Sequence, residues 1–335
     1  IIGELHGDAN YGTQYFQQFV ADPFRPVLWT VVIFLICHFV IIHGVRGGIE
    51  KASKVMMPLL FILLLIIVVS SCLLPDAGKG IEFLLKPDFG KVDRNVFLNA
   101  LGQSFYSMSI GMGCICTYAS YFSRQTNLLK SAIQISAIDL MVAVLAGLMI
   151  FPAAFSVGIS PDSGPSLIFI TLPNVFNEAF AAMPVLGWII SLMFYVLLSV
   201  AALTSLMSLH EVNTSFFYEE LKIDRKKGAM IVTVSCAIIG AFCSLSLGAT
   251  DKLSFCGKTL FDWFDFVTGQ LFLPTAGLLT CLFLGWYVPK KVVKDEFTNW
   301  GTLKGLVFHV YLFLIKFVCP VLIFLVFLNQ FGVLG

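Results

Sequence analysis

Charged residues are scarce in this chain. Lys, Arg, Asp and Glu make up 12% of its 335 residues, about half of the roughly 25% found in ordinary soluble domains. With 58% hydrophobic residues and 33 Phe, the chain carries more apolar surface than a water-soluble core can bury. The formal net charge is only +1 and no basic face is present, so nucleic-acid binding has no support. These shortages exclude a soluble domain.

Residue clusters typical of metal, disulfide or catalytic sites are also missing from the sequence. None of the nine Cys forms a Cys-x-x-Cys pair, and the five His form no zinc-binding pattern with them. No nucleophile, metal-ligand set or pair of acids converges in the sequence. We therefore expect neither a disulfide framework nor a zinc site, and we expect that the protein is not an enzyme.

Long uncharged runs are what the sequence has instead. A helix crosses a bilayer core of roughly 30 Å with about 20 apolar residues, and eight runs reach or approach this length. Lipid offers the backbone no partners and the runs lack the alternation of barrel strands, so an all-α membrane protein is predicted. The runs are Pro26 to Ile42, Val55 to Leu74, Asn95 to Ser123, Ser131 to Pro161, Ala179 to Leu209, Ala229 to Thr250, Phe266 to Pro289 and Gly305 to Gly335.

The distribution of Lys and Arg predicts the orientation of the spans. Most of the 21 lie in four alternate loops, which the positive-inside rule assigns to the cytoplasm, so both ends of the chain, including the C-terminus, are expected outside. The chain lacks an initial Met and begins with a polar stretch that would normally follow an earlier span, so we interpret it as part of a longer protein. The outer segment Pro161 to Pro184 is expected to form either a short apolar helix or a plain loop.

The third run is predicted to be an interrupted helix. Gly111 and Gly113 stand at a spacing of two, and three Ser precede them, a combination that weakens a helix locally. Unwound backbone is tolerated at membrane depth only where it lines a cavity or is buried in protein. Two half-helix ends would present free carbonyls and amides towards one point, which favours a binding site. Close packing of a continuous helix is the alternative reason for the glycines.

Asp139 is the one carboxylate of the fourth run. A charge at the centre of a spanning helix costs roughly 2.5 to 3.5 kcal/mol, so an intramembrane acid is by default a functional-site hypothesis. A cation ligand, a proton carrier, an internal ion pair and a side chain that reaches the interface all remain open.

Ala201, Thr204 and Ser205 stand at positions i, i+3 and i+4 of the fifth run, which places them on one helix face. Uncharged oxygen ligands of this kind suit a monovalent cation such as Na⁺. Alternatively, the hydroxyls bond the carbonyl one turn back, as Ser and Thr commonly do in membrane helices. Further along the chain, Glu211 is expected to be paired or protonated, and Lys316 to reach the interface or to be paired.

Five segments spread along the chain carry a family resemblance. They are GVRGGIEKASKVMMP at Gly44 to Pro58, GQSFYSMSIGMG at Gly102 to Gly113, AGLMIFPAAF at Ala146 to Phe155, AALTSLMSLHEV at Ala201 to Val212 and LFDWFDFVTG at Leu260 to Gly269. Through these segments the chain resembles bacterial members of the neurotransmitter:sodium symporter family over almost its whole length. The resemblance implies a five-plus-five inverted-repeat fold with discontinuous helices. The eight runs would correspond to spans four to eleven, with the first three helices lacking, so residues 1–94 would end the first repeat, 95–290 form the second, and 291–335 the final span.

The resemblance also implies site residues. Ser107 and Asp139 match one sodium site, although the family usually has Asn where this chain has Asp139. Ala201, Thr204 and Ser205 match the other sodium site. The implied substrate pocket is lined by Tyr106, Ser107, Ser109, Met112, Ser205 and Leu209, and the implied extracellular gate comprises Tyr106 and Asp265.

The function implied by the resemblance is sodium-coupled symport of hydrophobic or aromatic amino acids across the bacterial plasma membrane, with Na⁺ as the co-transported ion. Chloride independence is expected, because Asp139 supplies a fixed negative charge and Ala143 replaces the hydroxyl that chloride-dependent relatives keep. Without the first three helices, transport is not expected. A proton-coupled permease of related fold and a non-transporting membrane subunit are the alternatives, and the sequence indicates no oligomeric state.

Overall fold

The structure is a computed structural model that describes residues 11–123, 125–156, 176, 183–250, 253–255, 257–301 and 307–331. Nearly all of this part is helical, and the predicted outer segment at 161–184 lies almost entirely outside it. The α-helices are α1 (Tyr11–Ala21), α2 (Arg25–Ile42), α3 (Glu50–Cys72), α4 (Ala77–Leu85), α5 (Arg94–Ser107), α6 (Cys114–Ser120), α7 (Leu128–Ser156), α8 (Pro184–Glu219), α9 (Arg225–Ser246), α10 (Leu260–Asp265), α11 (Leu273–Leu282), α12 (Lys290–Phe297), α13 (Phe308–Phe313) and α14 (Cys319–Gln330). Two short strands, β1 (Ser254–Phe255) and β2 (Lys258–Thr259), form an antiparallel pair.

Wider, π-helical turns interrupt several helices. They comprise Val45–Ile49 before α3, Phe266–Phe272 between α10 and α11, Phe283–Tyr287 after α11, and Leu314–Val318 between α13 and α14. A turn of this kind is uncommon in helices and often lies at a functional site.

Seven continuous helical segments within the described residues are long and apolar enough to cross a membrane, which confirms the all-α membrane protein. They match every predicted run except the third, which is helical on both sides of its glycines. The segments are Arg25–Ile42, Gly47–Cys72, Leu128–Ser156, Pro184–Glu219, Arg225–Ser246, Leu260–Tyr287 and Phe308–Gln330.

The chain divides into two compact units. The first unit comprises Ile1–Pro87 and Met141–Phe261, and the second comprises Asp88–Leu140 and Asp262–Gly335. The repeat boundaries near residues 94 and 290 stay a prediction.

The core of the first unit lies where α3, α7 and α8 meet. Ile67, Ala153 and Phe194 are almost completely buried there, and each comes from a different one of the three helices. The short helix α4 packs closely on α7, because Gly80 lies directly against the backbone of Phe151 and leaves no room for a Cβ. A continuous apolar core therefore holds these spans together.

A polar seam joins α2, α8 and α9 inside the first unit. The Thr233 Oγ1 atom lies 2.9 Å from His38 Nδ1 and 2.8 Å from His210 Nε2, and its hydroxyl donates to the carbonyl of Ala229 at 2.8 Å. His210 Nδ1 lies 3.1 Å from the Thr214 hydroxyl. A hydroxyl has one hydrogen, so the two imidazole nitrogens that face Thr233 must be the donors. This fixes the tautomers of both rings and leaves His210 Nδ1 as an acceptor.

Glu211 follows the seam on α8 and is paired, as expected from the sequence. Its side chain is fully buried, and Arg225 Nη1 donates to its Oε1 at 3.0 Å. Arg225 Nη2 also donates to the carbonyl of Ile41, at the end of α2. The Arg225 guanidinium of α9 therefore connects α8 through the Glu211 carboxylate and α2 through the Ile41 carbonyl.

Replacing Glu211 by Gln is expected to destabilise the protein by roughly 3 kcal/mol. Breaking a buried ion pair on one side costs about 3 to 5 kcal/mol, and the lower end applies because Arg225 keeps some solvent contact. Thermal unfolding in detergent would show this as a lower Tm. Glu50→Gln, which removes an exposed carboxylate that pairs with Lys54, is the matched control and should change Tm little. Equal shifts for both variants would contradict the prediction.

Candidate functional site

The interrupted helix is built as the glycine pattern predicts. Asp93 begins α5 by accepting a hydrogen bond from the Val96 amide at 2.7 Å, and α5 ends at Ser107. Gly111 and Gly113 then adopt φ angles of +87° and +81°, in the left-handed region that glycine tolerates, and α6 begins immediately afterwards. Ser109 also has a positive φ, of +52°. The stretch between α5 and α6 is therefore unwound rather than merely flexible helix.

Gly111 fits tightly against the start of α11. A Cβ at this position would overlap the carbonyl group of Leu273 and lie 3.3 Å from the Gly277 amide nitrogen. Both obstacles are backbone atoms of a helix, so they cannot rotate out of the way. The glycine is required by its φ angle and by this close approach together.

Ser107 and Asp139 are brought together at the break. The Ser107 hydroxyl lies 2.8 Å from both carboxylate oxygens of Asp139, and it is the donor in this contact. Ser107 is the last residue of α5, and Asp139 lies on α7. Three oxygen atoms, two of which share a negative charge, thus converge where the helix is unwound. Such a set is suited to a hard cation.

A second contact between α7 and the break was not predicted. Ser136 lies one turn before Asp139, and its hydroxyl approaches the sulfur of Met108 at 3.8 Å and the carbonyl of Ala132 at 3.0 Å. The spacing of Ser136 and Asp139 on one helix face is the signal that could have identified it. α7 therefore contacts both residues that end α5.

Tyr106 and Asp265, the predicted gate residues, line one cavity in the second unit. Its volume is about 270 Å³, and α5, α14 and the helical segment around the π turn at Phe266–Phe272 form its walls. Pro274 follows that turn and lacks an N–H, so the normal helical bond to a carbonyl of the turn is missing. The two predicted gate residues thus line the same cavity, and Asp265 directly precedes the π turn that forms part of its wall.

Carboxamide side chains dominate the polar lining of this cavity, and the sequence reasoning missed them. Asn99 and Asn329 form a hydrogen bond at 3.1 Å between α5 and α14. The sequence contains a signal for them, since two adjacent carboxamide residues, Asn329 and Gln330, stand near the end of the largely apolar last span. The carboxamide residues are Asn99, Gln103, Gln270, Asn329 and Gln330.

The second predicted sodium-site face lies on α8, in the first unit. The Thr204 hydroxyl donates to the Ala201 carbonyl at 2.8 Å, which is the back-bonded arrangement anticipated as the alternative. This bond uses the hydroxyl hydrogen but leaves lone pairs on both oxygens. Ser205 and Leu209 lie on the exposed face of the same helix. Back-bonding and ion binding are therefore compatible here.

The remaining predicted pocket residues belong to the unwound stretch. Ser109 and Met112 are half-buried, whereas Tyr106 is 57% exposed. The Met112 amide donates to the Ser109 carbonyl at 3.2 Å, which closes a tight turn around Gly111. The structure thus places Tyr106, Ser107, Ser109 and Met112 in or directly before one short irregular segment.

Comparison with known families agrees with this geometry. The model of a family described as the sodium:neurotransmitter symporter family matches residues 21–334. The chain belongs to this family. Members of the sodium:neurotransmitter symporter family are secondary transporters with Na⁺ as the co-transported ion, so the class is a sodium-coupled transporter and not an enzyme.

Individual relatives support the same assignment. The "Uncharacterized sodium-dependent transporter YhdH" of Bacillus subtilis (strain 168) is 34% identical over 336 residues, which are 99% of this chain and 73% of the relative. An "Uncharacterized sodium-dependent transporter" of Haemophilus influenzae is 33% identical over 92% of this chain and 66% of its own length. The chain therefore spans about two thirds to three quarters of these relatives.

A solved structure shares the fold. The crystal structure of MhsT in complex with L-phenylalanine has a TM-score of 0.84 and 33% identity with this chain, and the match covers 97% of this chain and 73% of MhsT. The fold of this family is thus the fold described above for the two units.

Proposed function

We propose that the protein carries out sodium-coupled symport of hydrophobic or aromatic amino acids by alternating access, independently of chloride. The observation that carries this proposal is the contact between Ser107 and Asp139 at the break of the interrupted helix. It combines a fixed charge, a hydroxyl and unwound backbone at one point. Interrupted helices of transporters bind ions and substrates at such points.

The first sodium ion binds between Ser107 and Asp139 in this proposal. The carboxylate supplies the charge, and the hydroxyl oxygen supplies a neutral ligand next to it. An intramembrane charge that is compensated by a bound cation costs less than an isolated one. Binding of Na⁺ would therefore stabilise the unwound segment around Gly111.

The second sodium ion binds at the α8 face of Ala201, Thr204 and Ser205. The back-bond of Thr204 orients its lone pairs away from the Ala201 carbonyl, so both oxygens can point towards an ion. The three ligands carry no formal charge, which suits a monovalent ion better than a divalent one.

The family resemblance implies substrate-binding residues in the unwound segment, and separately Ser205 and Leu209 on α8. Backbone amides and the first sodium ion would bind the substrate carboxylate, and Met112 and Leu209 would contact its side chain. A Met side chain is flexible and adapts to apolar groups of different shape. The MhsT structure, solved with L-phenylalanine, supports an aromatic or apolar substrate for a related protein.

Uptake by the full-length protein in liposomes tests the proposal. An inward sodium gradient at fixed pH is expected to drive accumulation of apolar or aromatic amino acids when all twenty are screened. Accumulation that follows a proton gradient without sodium would favour the proton-coupled alternative instead. The absence of any sodium-dependent substrate binding would favour a non-transporting subunit.

Replacing chloride by gluconate is expected to leave uptake unchanged. Asp139 provides the negative charge beside the first sodium site, and Ala143, one turn further on α7, has no hydroxyl for an anion. The measurement is the initial uptake rate at constant sodium. Uptake that disappears in gluconate would contradict the chloride-independent mechanism.

A further inference from the structure

Lys316 is a charged side chain within an otherwise apolar span. It lies in the π turn Leu314–Val318, and no other Asp, Glu, Lys or Arg occurs between Phe308 and Gln330. A lysine inside a membrane span is costly unless an anion or a polar group compensates it. Lys316 therefore requires a compensating group.

No carboxylate of the described residues lies within ion-pair distance of Lys316, whereas other cations, such as Lys54 and Arg225, have such a partner. Its Nζ atom instead lies 5.0 Å from the centre of the Trp286 ring. A cation–π contact attracts the ammonium group but does not neutralise it. Trp286 is 61% exposed, so this cation lies beside the lipid-facing surface of the protein.

The neighbouring helix packs closely around the Lys316 side chain. Lys316 and Trp286 both lie in π turns, and the Trp286 Nε1 donates to the Lys316 carbonyl at 3.3 Å. Gly285 faces the lysine stem, since a Cβ there would lie only 3.1 Å from Lys316 Cγ. These features hold the ammonium group over the indole rather than leaving it to solvent.

Two further cations follow Trp286 closely in the chain. Lys290 and Lys291 begin the short helix α12, and both are exposed and make no ion pair with any described residue. The helix is fixed in place because Val293 is buried and Phe297 stacks on Tyr311 at 4.7 Å. An exposed Trp near the end of a span, followed within five residues by two exposed lysines, is typical of a membrane–water boundary.

We propose that Trp286, Lys316, Lys290 and Lys291 form a binding site for the headgroup of an anionic phospholipid. The lipid phosphate supplies the counter-ion that Lys316 lacks in the described part of the chain, and Lys290 and Lys291 attract the same headgroup from the aqueous side. Basic pockets between spanning helices bind anionic headgroups in this way. The positive-inside pattern predicts that the lipid belongs to the cytoplasmic leaflet. This site is independent of the transport proposal.

Native mass spectrometry of the full-length protein from nanodiscs tests this site. With mixed phosphatidylglycerol and phosphatidylcholine, the wild type is expected to retain phosphatidylglycerol preferentially. Lys316→Met keeps the length of the side chain and its apolar stem but removes the charge. This variant should weaken retention of phosphatidylglycerol about fivefold, which corresponds to roughly 1 kcal/mol per lysine. Lys316→Arg should retain most of the binding. Lys86→Met, which removes an exposed lysine that pairs with Glu82, is the control and should not change retention.

A double lysine variant and competition with inorganic phosphate complete the experiment. If Lys316→Met does not fold, the double variant Lys290→Gln/Lys291→Gln, outside the span, should still weaken retention. Equal retention by the wild type and by every lysine variant would overturn the proposal. Displacement of the lipid by inorganic phosphate would also overturn it, because the site would then bind free phosphate rather than a lipid headgroup.

Discussion

Replacing Gly111 by Ala is expected to reduce sodium-driven uptake by about tenfold or more. The substitution places an Ala in the left-handed backbone conformation, which costs roughly 1 to 2 kcal/mol. It also presses the new Cβ against the Leu273 carbonyl, and such overpacking costs about 1 to 3 kcal/mol more. The unwound segment must shift to relieve this overlap, and Ser107 and Met112 would move with it. The measurement is the initial uptake rate, normalised to the amount of protein in the membrane.

Gly78→Ala is the control for Gly111→Ala. Gly78 lies in the helix α4, and a Cβ there would meet no atom within 4 Å. We expect this variant to transport normally. Normal uptake by Gly111→Ala would show that the close approach to Leu273 does not constrain the site.

Replacing Asp139 by Asn is expected to raise the sodium concentration for half-maximal uptake by about tenfold or more. The variant keeps the size of the side chain and an acceptor for the Ser107 hydroxyl but removes the charge. Interactions with a charged group contribute roughly 1.5 to 3 kcal/mol, which corresponds to about tenfold or more in affinity. Sodium titrations of uptake at saturating substrate would measure this change.

Asp93→Asn serves as the matched substitution for Asp139→Asn. Asp93 caps α5 from an exposed position, and Asn is an equally good N-cap, so sodium dependence should be unchanged. If Asp139→Asn left the sodium dependence unchanged as well, the carboxylate would not be a sodium ligand.

The interruption of the third span could be predicted because its cause is local. Two glycines in a helix lower its stability wherever they occur, and both adopt positive φ angles in the structure. The positive φ of Ser109 could not be predicted, because Ser rarely adopts this conformation without support from its surroundings. The close approach of Gly111 to Leu273 depends on packing between residues far apart in sequence.

The end of α8 at Glu219 could not be predicted from the sequence. The apolar run ends at Leu209, before His210 and Glu211, yet the helix continues to Glu219. It continues because Arg225 pairs with Glu211 and Thr233 bonds His210, contacts that come from a different helix. The π turns around Trp286 and Lys316 could not be predicted either. One added residue in a single turn does not visibly change the helical periodicity of the sequence.

The seam around Thr233 has a consequence for how this protein can vary among its homologues. The Thr233 hydroxyl is the acceptor for two imidazole N–H groups, so its loss would leave the buried His210 donor without a partner, at a cost of about 1 to 3 kcal/mol, and would remove the partner of His38 as well. The loss of one histidine costs less, because the Thr233 hydroxyl would still donate to the Ala229 carbonyl and accept from the other ring. In an alignment of close homologues, a lineage that replaced Thr233 is therefore expected to have replaced His210 as well, whereas either histidine could vary while the threonine is kept.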